Sequence, residues 1–488
     1  MGTGPVRQPA LALVALAPAL GWYIAPASPL LAVAVATLAI AAALHGLGRA
    51  VGLLLGDPHA PAALAIAWGT AAYLAIGGVL VAGGWFDATG QRIVLVAGTV
   101  MGAGWLATRA ELPRGPWPGT RIAPAVLAGL VAAIHIAGEA GAWHGRFFDG
   151  DLVHLDALPR LHVTGALDGA AGASRLRGLG GGVVLGSLTA AFDDWRCAHV
   201  VDRGLGLGLT LALLFVIVER APMRLLTLFA LVALTSATPE LGPDLASRWS
   251  IVALILACYV SLTRATARQA LPWDTLLLAT AIATVTHAGV GAVVVAIGVL
   301  ARRAPPGPSR RRALRRAALV VVAGAGGLVV SAITAPMLEP QWPAPANVVL
   351  WPIVAMVGHA LLTLATRSLA DPALQRTFTA ACAMLASLGL MPTVGAAAAG
   401  ALVLTIPVAC LMGARLLPHH QTPGGGLIML AMVAALATTR FPVGAPPLSW
   451  EARLVRLIDN ARALSQKAIP AGGDPGHLVR QSPSQPRH

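Results

Sequence analysis

The stretch FFDGDLVHLDALPRL, Phe147 to Leu161, sets Asp149, Asp151 and Asp156 within eight positions of a chain in which charged residues make up only 11%. Three kinds of chemistry fit such a group. In a solvated loop the acids are simply a hydrated charged face. Asp149 and Asp151, one residue apart, offer oxygen ligands of the kind a divalent cation such as Mg2+ or Mn2+ takes. One of the carboxylates could also serve as general base toward a hydroxyl.

The following residues suggest how the acids are held. In LVHLDALPRLHV, 152–163, Leu152, Leu155, Leu158 and Leu161 recur every third position. That spacing predicts an amphipathic helix lying in a membrane interface, with His154, Asp156 and Arg160 on its polar face. Pro159 weakens or kinks such a helix. Asp149 and Asp151 fall at or before its first turn, where anions and caps are favoured. Farther on, Arg175 and Arg177 have the fork geometry that grips a phosphate, or they pair with lipid headgroups or local acids. Gly178 to Gly182 includes GLGGG, yet no strand precedes it. Flexible or close-packed backbone is therefore expected there, not a nucleotide cradle.

The elements that must position these groups are set by composition. The chain has 488 residues, 57% of them hydrophobic, with a mean hydropathy of +0.75. Charge is too scarce to cover a soluble surface of that size. Apolar runs recur from end to end, which predicts an all-α, polytopic integral membrane protein. Spans of roughly 20 residues are expected near 8–25, 29–48, 62–85, 92–108 and 122–141. After a polar interval they resume near 200–218, 223–238, 248–264, 273–287, 288–301, 317–336, 346–366, 376–391, 394–415 and 425–440. The run 273–301 also reads as one long helix, so about 13–15 transmembrane helices are expected. The first run reads as an uncleaved span, because a second apolar run follows at once.

Four parts follow. Residues 1–141 form the N-terminal transmembrane helices and 142–199 an acidic loop with interfacial helices. Residues 200–440 form the C-terminal transmembrane helices. Residues 441–488 hold an amphipathic helix, with Trp450, Leu454, Leu457, Ile458, Ala461 and Leu464 on one face, and a disordered tail.

Arginine placement sets the orientation. The formal charge is +14, and Lys467 is the one lysine among 34 basic residues. That usage, with abundant Ala, Gly and Pro, reads as a GC-rich bacterial coding bias. Arg302 to Arg316 holds seven arginines and no acid, which marks a cytoplasmic loop. Arg49, the group Arg109, Arg114 and Arg121, the pair Arg220 and Arg224, and Arg264 with Arg268 should share its side. They do so if Gly180 to Ala191 is a re-entrant or surface helix and not a span. The amino terminus is then cytoplasmic and loop 142–199 outside, in a bacterial inner membrane. Eight of the 20 acidic residues fall between Glu139 and Asp202, on that outer side. The basic balance belongs to these loops, and no nucleic-acid motif is present.

Other polar residues are sparser. Cys197, Cys258, Cys382 and Cys410 form no C-x-x-C pair, so neither a zinc site nor a disulfide framework is expected. His135 and Glu139, four apart, face the same way as a local hydrogen-bonded pair or a metal pair. His287 marks an outward break between spans, and His359 reads as a satisfied bundle histidine. Asp193-Asp194-Trp195-Arg196 reads as an interfacial anchor or a second acidic site.

The order of these features resembles the GT-C superfamily, polytopic glycosyltransferases that use polyprenyl-phosphate sugars. The matching residues are Asp149-Gly150-Asp151, the helix through Leu155 to Leu161, Thr164-Gly165, and Arg175 with Gly180 to Gly182. Here Gly150 separates the two acids, and the loop follows about the fifth span instead of the first. The resemblance implies a GT-C-like fold and transfer of a sugar from a polyprenyl-phosphate donor to an extracytoplasmic glycan, lipid or protein. It gives Asp149 and Asp151 the role of base or metal ligand. Substrate contacts are then expected from His154, Asp156, Arg160, Arg175 and Arg177, with a divalent cation as the one cofactor. A multi-pass transporter or lipid-carrier flippase of envelope polysaccharide synthesis is the alternative. It is less favoured because the ionisable residues gather at one edge and no inverted repeat is evident.

Overall fold

A computed structural model describes residues 30–109, 152–167, 178–191, 200–217, 247–334, 345–366 and 372–390. Every regular element among them is helical, in keeping with the all-α expectation. In chain order they are α1 (Leu30–Leu54), α2 (Ala62–Ala82), α3 (Ala88–Arg109), α4 (Leu152–Thr164), α5 (Gly181–Ala190) and α6 (Leu207–Ile217). Then come α7 (Arg248–Ala267), α8 (Trp273–Val285), α9 (Gly289–Arg303), α10 (Pro308–Thr334), α11 (Pro345–Thr366) and α12 (Pro372–Ser387). A π-helical turn, Val200–Gly206, leads into α6, and a 3-10 turn, Leu388–Leu390, ends α12.

Ala62–Ala82, Arg248–Ala267 and Pro308–Ile333 are long and apolar enough to cross a membrane. At 1.5 Å per residue, about 20 residues cover a hydrocarbon core of about 30 Å. α2 and α7 are apolar all round and sit inside the bundle, as such helices must. They bury Trp68, Tyr73 and Leu74, and Trp249, Leu256 and Tyr259. Small residues let α1 and α2 cross closely. A methyl group at Gly48 would overlap the Ala65 carbonyl, and one at Gly69 the Leu44 carbonyl. Between apolar helices that closeness matters, because packing and not water exclusion holds them together in lipid.

The run 273–301 is two helices, not one. Thr286 is extended, with φ −142° and ψ 137°, which ends α8 before the chain turns back into α9. At 13 and 15 residues these helices rise about 20 Å and 22 Å. α10 starts earlier than the apolar run near 317. Its arginine-rich start belongs to the helix, which begins at Pro308. Arg, Ala and Leu are good helix formers, and proline suits the first helical position. The runs near 8–25, 122–141, 223–238, 394–415 and 425–440, and residues 441–488, lie outside the described residues.

Two ends of the bundle can be told apart. At the arginine end, Asp57 accepts from Arg264 at 2.7 Å and lies 2.9 Å from Arg268. Arg303 donates there to the Ala270 carbonyl at 3.1 Å and to Thr266 Oγ1 at 2.6 Å. Arg49 donates to the Pro58 and Ala60 carbonyls at 3.0 and 2.7 Å. Arg49, Arg264, Arg268 and Arg303 thus gather at one end, as their placement by charge requires. Arg114, Arg121, Arg220 and Arg224 lie outside the described residues. The other end holds the α2–α3 turn, the end of α4, the start of α5 and the α8–α9 turn. This is the glycine end.

α5 enters the bundle from the glycine end. The Leu179 N–H just before it donates to Thr284 at the end of α8, 2.9 Å away. The Ala191 carbonyl just after it accepts from Arg92 in the first turns of α3, also at 2.9 Å. Ser187 in α5 meets the Tyr73 hydroxyl at 3.0 Å, nine positions before the end of α2, so α5 reaches into the bundle. At 10 residues it rises only about 15 Å, too short to cross it. It is not a surface helix, since Val183, Val184, Leu185 and Leu188 are all buried.

Candidate functional site

The glycine end is built around the turn between α2 and α3. Asp87 caps α3 by accepting the Gly90 N–H at 2.8 Å, the usual service of an N-cap aspartate. One turn on, Gln91 is fully buried. Its Nε2 donates to the Phe86 carbonyl at 2.9 Å, and its Oε1 lies 3.3 Å from His162 Nδ1 near the end of α4. A buried amide needs such partners on both sides. The Phe86 N–H donates to the Gly165 carbonyl at 3.3 Å. Gln91 and Phe86 thereby fasten the carboxy-terminal end of α4 to the α2–α3 turn.

The Thr164-Gly165 pair has a local cause. Gly165 has φ +71°, the left-handed conformation that ends helices and favours glycine. A side chain there would press on the Gly84 backbone. Thr164 Oγ1 donates to the Arg160 carbonyl at 2.9 Å.

α4 covers the predicted 152–163, and Pro159 sits inside it. The leucine stripe differs from expectation. Leu158 and Leu161 are 1% and 0% exposed, and Leu158 meets α5 at Gly186. Protein covers that face, so the carboxy-terminal half of α4 turns these leucines to the bundle and not to lipid. Arg160 and Val163 are on the exposed side.

The glycine run is close-packed backbone. A Cβ at Gly178 would lie 2.5 Å from Val285, and one at Gly181 2.7 Å from Thr284. Their neighbours are the backbone of α8, which leaves no phosphate-sized opening at those glycines. The close-packing expectation for Gly178 to Gly182 thus agrees with the geometry.

The proposed site residues divide unevenly. Asp149, Asp151, Arg175 and Arg177 lie outside the described residues, as do His135, Glu139, Asp193 and Asp194. Asp151 directly precedes α4, and Arg177 directly precedes the buried Gly178. His154 and Asp156 lie within α4, with Asp156 four positions before Arg160. No family model matches the chain, and no curated protein or solved structure matches it either. Among the described residues, no three His, Cys, Asp or Glu side chains converge as a metal site.

Three polar contacts were not foreseen. Asp202, 4% exposed in the π-helical turn, accepts from the Ser250 N–H at 2.9 Å and lies 3.2 Å from Ser250 Oγ. It caps α7 from another helix, since Ser247 makes no side-chain cap bond. Nothing local in the sequence links positions 48 apart. Asp57 joins α7 to the α1–α2 loop, and here a signal existed. Arg264 and Arg268 are four apart, so they share a helix face and can meet one acid. Arg49 is 2% exposed, stacks 4.2 Å from the Trp105 ring and donates to His45 Nε2 at 3.1 Å. His359 fits the expected bundle histidine only in part. It pairs with Thr379 Oγ1 at 3.2 Å, yet lies on the exposed side of α11.

Proposed function

We propose that this chain is a multi-pass membrane glycosyltransferase of GT-C type in a bacterial inner membrane. Its arginine end is cytoplasmic and its glycine end outward. One observation carries the reading. The segments that follow the acid pair in the resemblance, namely α4, Thr164-Gly165 and Gly178 to Gly182, pack together at one end of the bundle. They lie at the end away from Arg49, Arg264, Arg268 and Arg303, the side an extracytoplasmic site would take. A helix that starts directly after Asp151 and is anchored in the bundle through Leu158 and Leu161 is what a positioned carboxylate needs.

In this reading Asp149 or Asp151 takes the proton of the acceptor hydroxyl. The acceptor oxygen bonds to the anomeric carbon as the bond to the lipid phosphate breaks, and the configuration inverts. Arg160, Arg175 or Arg177 neutralises the departing polyprenyl phosphate, while His154 and Asp156 contact the substrate. Two carboxylates separated by one glycine suit a hard divalent cation. Such an ion would be held by Asp149 and Asp151 and would supply charge neutralisation.

The test is transfer by the purified chain from a panel of polyprenyl-phosphate sugars. Asp151→Asn should abolish transfer with the protein still folded and inserted. Full activity in both Asp149→Asn and Asp151→Asn would remove the mechanism.

One observation favours the flippase alternative. α5 meets the break between the short α8 and α9, and broken helices of this kind line transporter sites. Movement of a lipid carrier across proteoliposomes without any sugar transfer would select it.

A further inference from the structure

The arginine end carries a charge arrangement that the transfer reading does not use. α10 opens with Arg310, Arg311, Arg312, Arg315 and Arg316, all exposed, and Arg302 is exposed at the end of α9. Among the described residues no acid pairs with any of them, and the nearby Asp57 is taken by Arg264 and Arg268. The side of α10 turned to the protein is marked by Ala313 and Ala317, 6% and 1% exposed. The arginines occupy the rest of the circumference.

Within the chain this arrangement is unfavourable. Like charges three and four apart repel one another on a helix. Cations in the first turns also oppose the helix dipole, whose positive pole is there. A local cost with no compensation in the described fold points to an external anion.

Where that anion resides follows from the same helix. Leu319, three residues after Arg316, is 67% exposed, Val322 64% and Ile333 75%. Only 28% of the apolar window of α10 is buried in the protein. The helix therefore passes from bare arginine to bare apolar surface within one turn. At 1.5 Å per residue, Arg310 to Arg316 cover about 9 Å, close to the thickness of a headgroup layer. A soluble polyanion would not need the adjoining apolar face, whereas a lipid meets both.

We propose that Arg302 and the five α10 arginines form a docking surface for anionic glycerophospholipids of the leaflet at the arginine end. Guanidinium forks hold the phosphates while the acyl chains lie along the exposed face of α10.

The test reconstitutes the full chain in bilayers of equal phosphatidylglycerol and phosphatidylcholine. The lipid that stays with the protein on detergent extraction is then quantified. Several-fold enrichment of phosphatidylglycerol is expected at low salt, falling toward parity near molar salt as the charges are screened. Replacing all six arginines by Gln should bring the ratio to parity at low salt, and replacing them by Lys should keep most of the enrichment. Parity in the unaltered protein would overturn the proposal, even if it bound nucleic acid in phosphatidylcholine alone. Undiminished enrichment in the Gln variant, or parity in a folded Lys variant, would also overturn it. None of these readouts depends on sugar transfer.

Discussion

Asp57 and Arg264 meet at 2.7 Å across 207 positions of sequence, and their side chains are only 12% and 20% exposed. The contact ties the loop between α1 and α2 to the last turn of α7. Arg268, 49% exposed, completes a three-membered group. A pair this far from water is held in geometry by its neighbours, but removing one member strands the others. Asp57→Ala should therefore lower stability by about 1–3 kcal/mol. Thermal melting of the purified protein in detergent checks this, and Arg264→Gln combined with it should cost less than the two changes summed.

Asp202 makes a different prediction, because it serves a backbone group. Its carboxylate accepts the N–H of Ser250 in the first turn of α7 and sits at the positive end of that helix. Asp202→Ala removes the cap and leaves buried donors without a partner, at a cost of about 1–2 kcal/mol. Asp202→Asn keeps an oxygen acceptor and should cost less. Equal melting temperatures for Asp202→Ala and the unaltered protein would show that the contact contributes nothing.

Much of this arrangement was legible from the sequence for a definite reason. The helix period is local, so α2, α7 and α11 appear within a few residues of the apolar runs that announce them. Arginine counts are cumulative, so they placed Arg49, Arg264 and Arg303 together without any contact being known. What failed was where one local pattern has two physical meanings. The stripe of Leu158 and Leu161 suits a bilayer surface as well as it suits α5, and only tertiary packing decides between them. Helix propensity likewise carries α10 back through its arginines, where hydropathy alone ends it. The Asp202 contact joins separate helices, and no spacing rule reaches it. The acid pair at the centre of the functional reading, Asp149 and Asp151, lies outside the described residues.

The glycine run offers a way to separate packing from ligand binding. Gly181→Ala puts a methyl group 2.7 Å from Thr284, in backbone that cannot swing aside. Overpacking of this kind costs about 1–3 kcal/mol. Gly298, in α9, has nothing within 4 Å of an added Cβ. Gly298→Ala should therefore be neutral or mildly stabilising, since alanine is the better helix former. If Gly181→Ala left melting unchanged and lowered only donor affinity, the run would be a ligand cradle after all.

The buried face of α4 links packing to the proposed chemistry. Leu161 is fully buried beside the turn that Phe86 and Gln91 hold, and Asp151 lies ten positions before it on the residue that precedes the helix. Leu161→Ala should leave a cavity and cost about 2–5 kcal/mol, as truncations of enclosed leucines do. A leucine resting on lipid would lose contact with acyl chains and leave protein melting almost unchanged. Val163 serves as the comparison, being 77% exposed, so Val163→Ala should have little effect. If Asp151 acts from the start of a helix anchored in this way, loosening the anchor should lower the turnover number more than it weakens donor binding. A loss confined to donor affinity, with turnover intact, would separate α4 from the reacting groups and return Asp149 and Asp151 to a solvated loop.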